Sequence, residues 1–135
     1  MMLKKWLLPC NLKNFDIITH FEHSDIAYFK RNRYMTPDDI VYIYVAAPYS
    51  EIMFKAKVLE RGISASDVDE VFRMSNITDR SYIKVQLLRK FPQGSLPRKE
   101  LFCHKLGQVV NQQRIRFELE DYISSVEIRL DAEGD

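Results

Sequence analysis

The residues best suited to binding a metal ion are Cys10, His20, His23, Cys103 and His104. The first two histidines are three residues apart, a spacing that can place both on one face of a helix. Protein zinc sites usually carry Cys-x-x-Cys or His-Glu-x-x-His spacings, and the sequence has neither. We therefore predict no metal site and no cofactor.

Motifs of covalent and phosphate chemistry are also missing from the sequence. It has no glycine-rich phosphate loop and no Gly-x-Ser-x-Gly, and only four glycines in all. A nuclease motif is absent too. The chain is therefore predicted to bind a ligand rather than to be an enzyme.

Charge is distributed unevenly along the chain. Residues 118–135 hold seven acidic residues and one basic residue, which leaves 19 basic and 12 acidic residues, a balance of +7, over positions 1–117. A basic body with an acidic end is compatible with a nucleic-acid-binding face. Solvated charge without a partner explains the same pattern.

The apolar patterning predicts short strands mixed with a few helices. We predict strands over 4–8, 39–46, 52–58 and 81–91, helices over 13–23 and from 96 to Gly107, a basic connection over 28–34, and a final helical or mixed segment with Phe117. In the second predicted helix, Ser95 is the expected N-cap. This order indicates an α+β domain built on a small, partly open β-barrel flanked by short helices.

A length of 135 residues fits one domain, which we place at 1–128, with 129–135 as an acidic tail or the start of a linker. No stretch approaches the roughly 18 apolar residues of a transmembrane helix. The apolar run near the N-terminus is interrupted by Asn11 and Lys13, which argues against a signal peptide. We expect a cytoplasmic protein with no membrane partner.

Three stretches in the first half of the chain, in this order, resemble the EVE family. Trp-Leu-Leu-Pro-Cys-Asn at 6–11, followed by Asn-Phe-Asp at 14–16, is similar to the family's opening strand. Ile-Ala-Tyr at 26–28 is similar to its Ile-x-Trp element, with tyrosine where tryptophan is usual. Residues 39–58 resemble its Gly-Asp-x-Val-Tyr-x-Tyr strand, turn and next strand, with Asp38 at the usual glycine.

The resemblance implies a PUA-like fold related to the YTH, ASCH and SRA-type readers, which hold one modified base outside its stack. As ligand it implies 5-methylcytosine or 5-hydroxymethylcytosine in DNA, flipped into an aromatic pocket. It also implies a sensor role in a modification-dependent restriction system, with a fused or associated nuclease.

A flipped base needs aromatic faces and polar groups that match its edge. The residues that carry over from the family pattern are Trp6, Asn11, Asp16, Tyr28, Tyr44 and Pro48. Of these, Tyr28 is the first choice for the stacking wall. Core packing is the favoured alternative for Trp6, and helix capping is an equal alternative for Asn11 and Asp16.

Basic residues would hold the nucleic-acid backbone, because cations near a pocket bind phosphates. We predict this role for Lys30, Arg31, Arg33, Arg98, Lys99 and Arg114. The first three adjoin Tyr28, which makes them the strongest candidates. Solvent exposure without a ligand remains the alternative for each.

Two other functions on the same fold stay open. An RNA reader needs the same aromatic slot and basic rim. A small ASCH-like hydrolase of modified nucleosides would need an activated side chain, for which Lys13, Thr19 and Glu22 are the nearby candidates. A third possibility, a scaffold that only contacts protein, predicts no binding to any modified oligonucleotide.

Overall fold

The computed structural model describes residues 3–30, 34–68, 72, 82–104, 106, 109 and 112–134. In chain order, the elements are β1 (Lys5–Cys10), α1 (Ile17–His23), β2 (Ile26–Lys30), β3 (Ile40–Val45), β4 (Glu51–Ile63), β5 (Tyr82–Lys90), α2 (Arg98–Cys103), β6 (Gln113–Arg114) and α3 (Phe117–Ala132). A 3-10 turn at Ala65–Asp67 follows β4.

The six strands form one mixed sheet in the order β2-β5-β4-β3-β1-β6. β1 runs parallel to β3, whereas all other neighbouring pairs are antiparallel. A parallel pair needs a crossover connection, and here α1 and β2 provide it. The register places Cys10 opposite Val45, so β1 ends beside the turn that follows β3.

Each face of the sheet carries its own apolar cluster, because successive side chains of a strand point to opposite faces. The α1 cluster includes Ile43 of β3 and Phe21 of α1. The α3 cluster includes Tyr42 and Tyr44 of β3 and Ile123 of α3. These five side chains are all nearly inaccessible to solvent, so β3 lies at the centre of the fold.

The sheet does not close, and its two edge strands are β2 and β6. β6 pairs only with Trp6 and Leu7, the first half of β1. Just before β6, the side-chain amide of Gln112 donates to the carbonyl of Lys30 at the end of β2. The described strands thus form the predicted α+β architecture, a partly open barrel. We call the gap between β2 and the second half of β1 the seam.

The predicted basic connection over 28–34 is wrong in its first part, where β2 forms instead. Ile26 to Lys30 pair antiparallel with Gln86 to Tyr82 of β5. Charged residues follow this strand directly in the sequence, so its few apolar residues do not stand out as a separate strand pattern. The ladder with β5 supplies the hydrogen bonds that make this segment extended.

The second predicted helix is shorter than its pattern suggested. α2 ends at Cys103, four residues before Gly107, which lies outside the described residues. The hydroxyl of Ser95 donates to the carbonyl of Pro92 at 2.6 Å and does not cap the helix. Pro97 is the N-cap instead, and it forms no side-chain cap hydrogen bond.

The final segment is a regular helix, as one of the two predicted options had it. α3 buries Leu119, Ile123, Val126 and Leu130 on one side. It continues past residue 128, where the sequence analysis placed the domain boundary, and Leu130 packs in the α3 cluster. None of the helices in the described ranges is long and apolar enough to cross a bilayer.

Candidate functional site

A pocket of about 380 Å³ lies in the seam, between the end of β1 and strand β2. Four small or short side chains from three parts of the chain contribute to its wall: Pro9, Cys10, Ala46 and Val109. The space exists because β6 covers only the first half of β1. Its volume lies at the small end of the range for ligand pockets, about 300–1,000 Å³.

Four aromatic rings, those of Phe15, Tyr28, Phe29 and Phe72, also line the pocket. Phe72 lies 5.0 Å from Phe15 and 5.3 Å from Tyr28 between ring centroids, and Phe15 lies 6.1 Å from Phe29. The planes of these pairs are inclined by 62°, 59° and 72° respectively, so the rings meet at their edges. Ring faces that are not stacked on each other can contact a flat ligand.

Among the described residues, the polar side chains that line the pocket are those of Asn11, Asn14 and Lys30. Asn11 Oδ1 accepts a hydrogen bond from the backbone N–H of Lys13 at 2.9 Å. This bond orients the amide, and the Nδ2 group can donate to a ligand. Lys30 is exposed and adds a positive charge to the lining.

Backbone geometry adds one more polar group. The backbone carbonyl of Lys5 accepts a hydrogen bond from the backbone N–H of Ile115. The backbone N–H and C=O groups of odd-numbered β1 residues are therefore directed towards β6 and the seam. Pro9 shares this parity, and proline has no N–H to leave unpaired at a strand edge. Its carbonyl is therefore directed towards the pocket that Pro9 lines.

Cys10 is a nucleophile by type but not in this environment. It is 6% exposed, and its thiol donates to the carbonyl of Phe15 at 3.6 Å. Burial raises the pKa of the thiol to about 12. The reactive form of cysteine is the thiolate, so a neutral buried thiol is poorly suited to covalent catalysis.

We expect thiol reagents at pH 8 to modify Cys103 at least 100-fold faster than Cys10. Cys103 is exposed, whereas with a pKa of about 12 only about 10⁻⁴ of Cys10 is thiolate at this pH. Iodoacetamide labelling followed by peptide mass spectrometry measures both rates. The same reaction in 8 M urea is the control, because both rates should converge there; comparable rates in the native protein would contradict the assignment.

Of the histidines considered as metal ligands, His20 makes other contacts. His20 Nε2 donates to the carbonyl of Ile26 at 2.6 Å, and the ring packs against Phe15 and Phe72. Among the described residues, no three His, Cys, Asp or Glu side chains converge on a point that could hold a metal ion.

The structure places two of the predicted base-pocket residues, Asn11 and Tyr28, in the pocket and Trp6 and Asp16 elsewhere. Trp6 is 2% exposed in the α1 cluster, and its Nε1 donates to Asp39 at 3.0 Å. Asp16 is the N-cap of α1, where it accepts from the backbone and hydroxyl of Thr19. These bonds hold the pKa of Asp16 below its ordinary value.

Tyr44 and Pro48 do not line the pocket either. The side chain of Tyr44 belongs to the α3 cluster, on the face of the sheet opposite to the α1 cluster. Tyr42 shares that face, and its hydroxyl donates to Glu127 of α3 at 2.9 Å. Pro48 lies in the turn between β3 and β4, two residues after Ala46, which does line the pocket.

The predicted backbone-binding residues fall into three places. Lys30 lines the pocket, whereas Arg31 and Arg33 lie outside the described residues. Arg98 and Lys99 begin α2, and the Arg98 guanidinium lies 5.8 Å from the ring of Phe102. The Arg114 guanidinium on β6 lies 5.6 Å from the ring of Trp6, beside the first half of β1.

Sequence reasoning missed most of the aromatic wall. Phe29 was not selected, yet it lines the pocket together with Tyr28, its neighbour on the edge strand β2. Phe72 stands alone in a Ser- and Asp-rich connection, and such an isolated aromatic residue was the available signal. Asn14 and Phe15 belong to the stretch that resembles the EVE family, but neither was selected.

No family model matches this sequence, and no curated protein matches it. A hypothetical protein from Leishmania major has a similar structure, with a TM-score of 0.64, 16% identity, and coverage of 96% of this chain and 98% of that chain. ASCH from Zymomonas mobilis gives a TM-score of 0.59 at 11% identity, covering 90% of this chain and 94% of the other.

The Mmi1 YTH domain is similar as well, with a TM-score of 0.61, 10% identity, and coverage of 96% of this chain and 78% of that chain. ASCH and YTH domains are both PUA-like folds. The chain has a PUA-like fold. At these identities the likeness establishes the fold alone.

Proposed function

We propose that this protein is a nucleic-acid-binding module that holds one modified base, most favourably 5-methylcytosine or 5-hydroxymethylcytosine in DNA, flipped into the seam pocket. The observation that carries the proposal is the aromatic pocket with amide groups in its lining. A volume of about 380 Å³ suits a ligand of nucleotide size and not a length of strand. PUA-like architecture supports the proposal without specifying the ligand.

Aromatic contact offsets the cost of removing a base from its stack. Flipping costs a few kcal/mol, and stacking on an aromatic side chain returns about 1–3 kcal/mol per base. Tyr28 is only half-buried and lies at the edge strand, so its ring is accessible from the pocket. Phe15 and Phe72 supply further apolar contact with the base.

The polar groups match the edge of cytosine. Cytosine presents acceptors at O2 and N3 and a donor at its exocyclic amine. In the proposed complex, Asn11 Nδ2 donates to the acceptors, and the amide oxygen of Asn14 accepts from the amine. The Asp16 carboxylate has no part in this arrangement, since it caps α1 and does not line the pocket.

A 5-methyl group would contact the small apolar side chains of Pro9, Ala46 and Val109. Burying one methyl group is worth about 0.8 kcal/mol, which corresponds to a preference of about fourfold over plain cytosine. A larger preference would require ordered polar contacts as well, such as those available to a hydroxymethyl group.

We propose that the module is a reader and not a hydrolase. Lys13, Thr19 and Glu22, the candidate activated residues, are not among the residues that line the pocket. Thr19 Oγ1 donates to Asp16. Of the described residues that line the pocket, Cys10 alone has a thiol, and burial raises the pKa of that thiol to about 12. Membership of the EVE family, and a sensor role beside a nuclease in a restriction system, belong to the same proposal.

Fluorescence anisotropy tests the proposal with three 12-base-pair duplexes that differ at one position: cytosine, 5-methylcytosine or 5-hydroxymethylcytosine. We expect tighter binding of a modified duplex, and Asn11→Ala should remove that preference. Matched single-stranded RNA carrying the same bases tests the RNA-reader alternative. Equal, weak and salt-sensitive binding of all ligands would refute modified-base recognition, and turnover of 5-methylcytidine would establish the hydrolase.

A further inference from the structure

A second cavity of about 360 Å³ adjoins the seam pocket, and the two share Tyr28. Unlike the seam pocket, it is polar. We call it the β4 cleft, and the other described residues that line it are Glu60, Arg61, Gly62, Ile63, Ser64, Asp67 and Lys84. Two of these are basic and two are acidic, and none of them was selected from the sequence. The ring of Tyr28 therefore separates an aromatic space from a charged one.

Strand register places a cation directly beside this tyrosine. Tyr28 of β2 is opposite Lys84 of β5, which in turn is opposite Glu60 of β4. Side chains of directly opposite residues lie on the same face with their Cβ atoms about 4.5–5.5 Å apart. The three side chains therefore form a row that leads away from the seam pocket.

The ion pair in this row is weak enough to exchange. Lys84 Nζ lies 3.7 Å from Glu60 Oε2, with the lysine side chain 30% and the glutamate 63% exposed. Exposed pairs of this kind contribute about 0–1 kcal/mol. A phosphate oxygen can replace the Glu60 carboxylate at little cost, since at 3.7 Å the ion pair is too long for a hydrogen bond, whereas Lys84 can form a charge-assisted one with the phosphate.

The same cleft offers two further donors. Arg61 is exposed, and the donation from its Nη1 to the carbonyl of Met35 is long, at 3.4 Å. Ser64 also lines the cleft, and its hydroxyl, which is paired with the Ser66 hydroxyl at 3.0 Å, would donate to a phosphate in exchange for that contact. The carboxylates of Glu60 and Asp67 repel anions. The cleft is therefore suited to a single phosphate held close to Lys84 and Arg61, and not to anions in general.

We propose that the β4 cleft binds the phosphodiester next to the flipped base, with Lys84 and Arg61 as its ligands. This inference rests on the proposed function, because the base in the seam pocket positions the phosphate. One face of the Tyr28 ring would then stack on the base, while Lys84 and Arg61 bind the nucleic-acid backbone. The contact is sequence-independent, since phosphates carry no information about base identity.

Salt-dependent anisotropy binding of the 12-base-pair 5-methylcytosine duplex tests the inference with single variants. Lys84→Gln is expected to weaken binding about threefold to fivefold and to lower the salt slope by about 0.9. Glu60→Gln should strengthen binding, because it removes the competing carboxylate. Lys90→Gln is the matched control, since Lys90 lies on the same strand about 20 Å away and should leave both quantities unchanged.

Each outcome separates the two proposals. Preference for the modified duplex, with Lys84→Gln equal to Lys90→Gln or with no gain from Glu60→Gln, overturns the phosphate site and leaves base reading intact. A Lys84-dependent salt slope without any preference for the modified base supports the phosphate site and refutes base reading. Absence of duplex binding at low salt refutes both.

Discussion

Replacing Asp39 with alanine is expected to lower the free energy of unfolding by about 3–5 kcal/mol. The carboxylate is fully buried and accepts from Trp6 Nε1 at 3.0 Å, Lys4 N at 3.1 Å, and the backbone and hydroxyl of Thr36 at 3.0 and 3.1 Å. Alanine leaves these donors without an acceptor, at about 1–3 kcal/mol for each one that stays buried. Urea unfolding followed by far-UV circular dichroism measures the loss.

Acid pH provides a second readout of the same carboxylate. Burial raises the pKa of Asp39, but the hydrogen bonds from Thr36, Trp6 and Lys4 outweigh it and leave the pKa below its ordinary value. A depressed pKa stabilises the fold above the unfolded pKa, about 3.9, and this contribution is lost as the pH falls through the folded pKa. The stability difference between wild type and Asp39→Asn should therefore shrink below about pH 4.

Asp121→Asn is the control, because Asp121 is exposed on α3 and should change the free energy of unfolding by no more than about 0.5 kcal/mol. A loss below 1 kcal/mol for Asp39→Ala would contradict the bonding described for Trp6. It would also reopen the possibility that the indole is a pocket residue.

The strands at the centre of the sheet were predictable because their side chains face a core. β3 consists of β-branched and aromatic residues, and β4 and β5 alternate between apolar and polar positions. The edge strand β2 gave a weaker signal, since only Ala27 is buried among its five residues. Its extended conformation depends on a partner 50 to 60 residues away, which local sequence does not encode.

Asp38 illustrates how a family pattern can point to a conformation. The resemblance places this residue where the EVE family usually has glycine, and its φ is 73°. Left-handed backbone favours glycine, while aspartate is one of the residues that tolerate it best. The turn before β3 therefore keeps a glycine-like conformation without the glycine.

The part of the candidate site that was predicted, Asn11 and Tyr28, came from the resemblance to the EVE family and not from local sequence. Asn11 and Tyr28 end up together because the crossover brings the end of β1 beside β2. Tyr44 lies on the opposite face of the sheet from the α1 cluster. The alternation of side chains along a strand does not show which of the two faces contacts a ligand. Phe72 closes the aromatic wall from a connection whose path has no periodic signal.

Tyr28→Ala is expected to weaken binding of the 5-methylcytosine duplex by about 5- to 150-fold, the equivalent of about 1–3 kcal/mol of base stacking. Tyr28 lines the pocket from the edge strand, and its ring also contacts Phe72 at 5.3 Å between centroids. Anisotropy titration of wild type and variant at one salt concentration measures the change. Preference over the unmodified duplex should disappear with the ring, because the base would no longer be held.

Three further variants separate stacking from other causes of weaker binding. Tyr28→Phe keeps the ring and should bind within about twofold of wild type if stacking provides the affinity. If the hydroxyl of Tyr28 provides it instead, Tyr28→Phe and Tyr28→Ala should weaken binding equally. Phe117→Ala removes an aromatic ring that is 77% exposed on α3 and should not affect binding. Lys30→Gln should lower the salt slope while keeping the preference for the modified base. Wild-type affinity in Tyr28→Ala, with an unchanged urea midpoint, would show that no base stacks on this ring and that the aromatic wall only packs the seam.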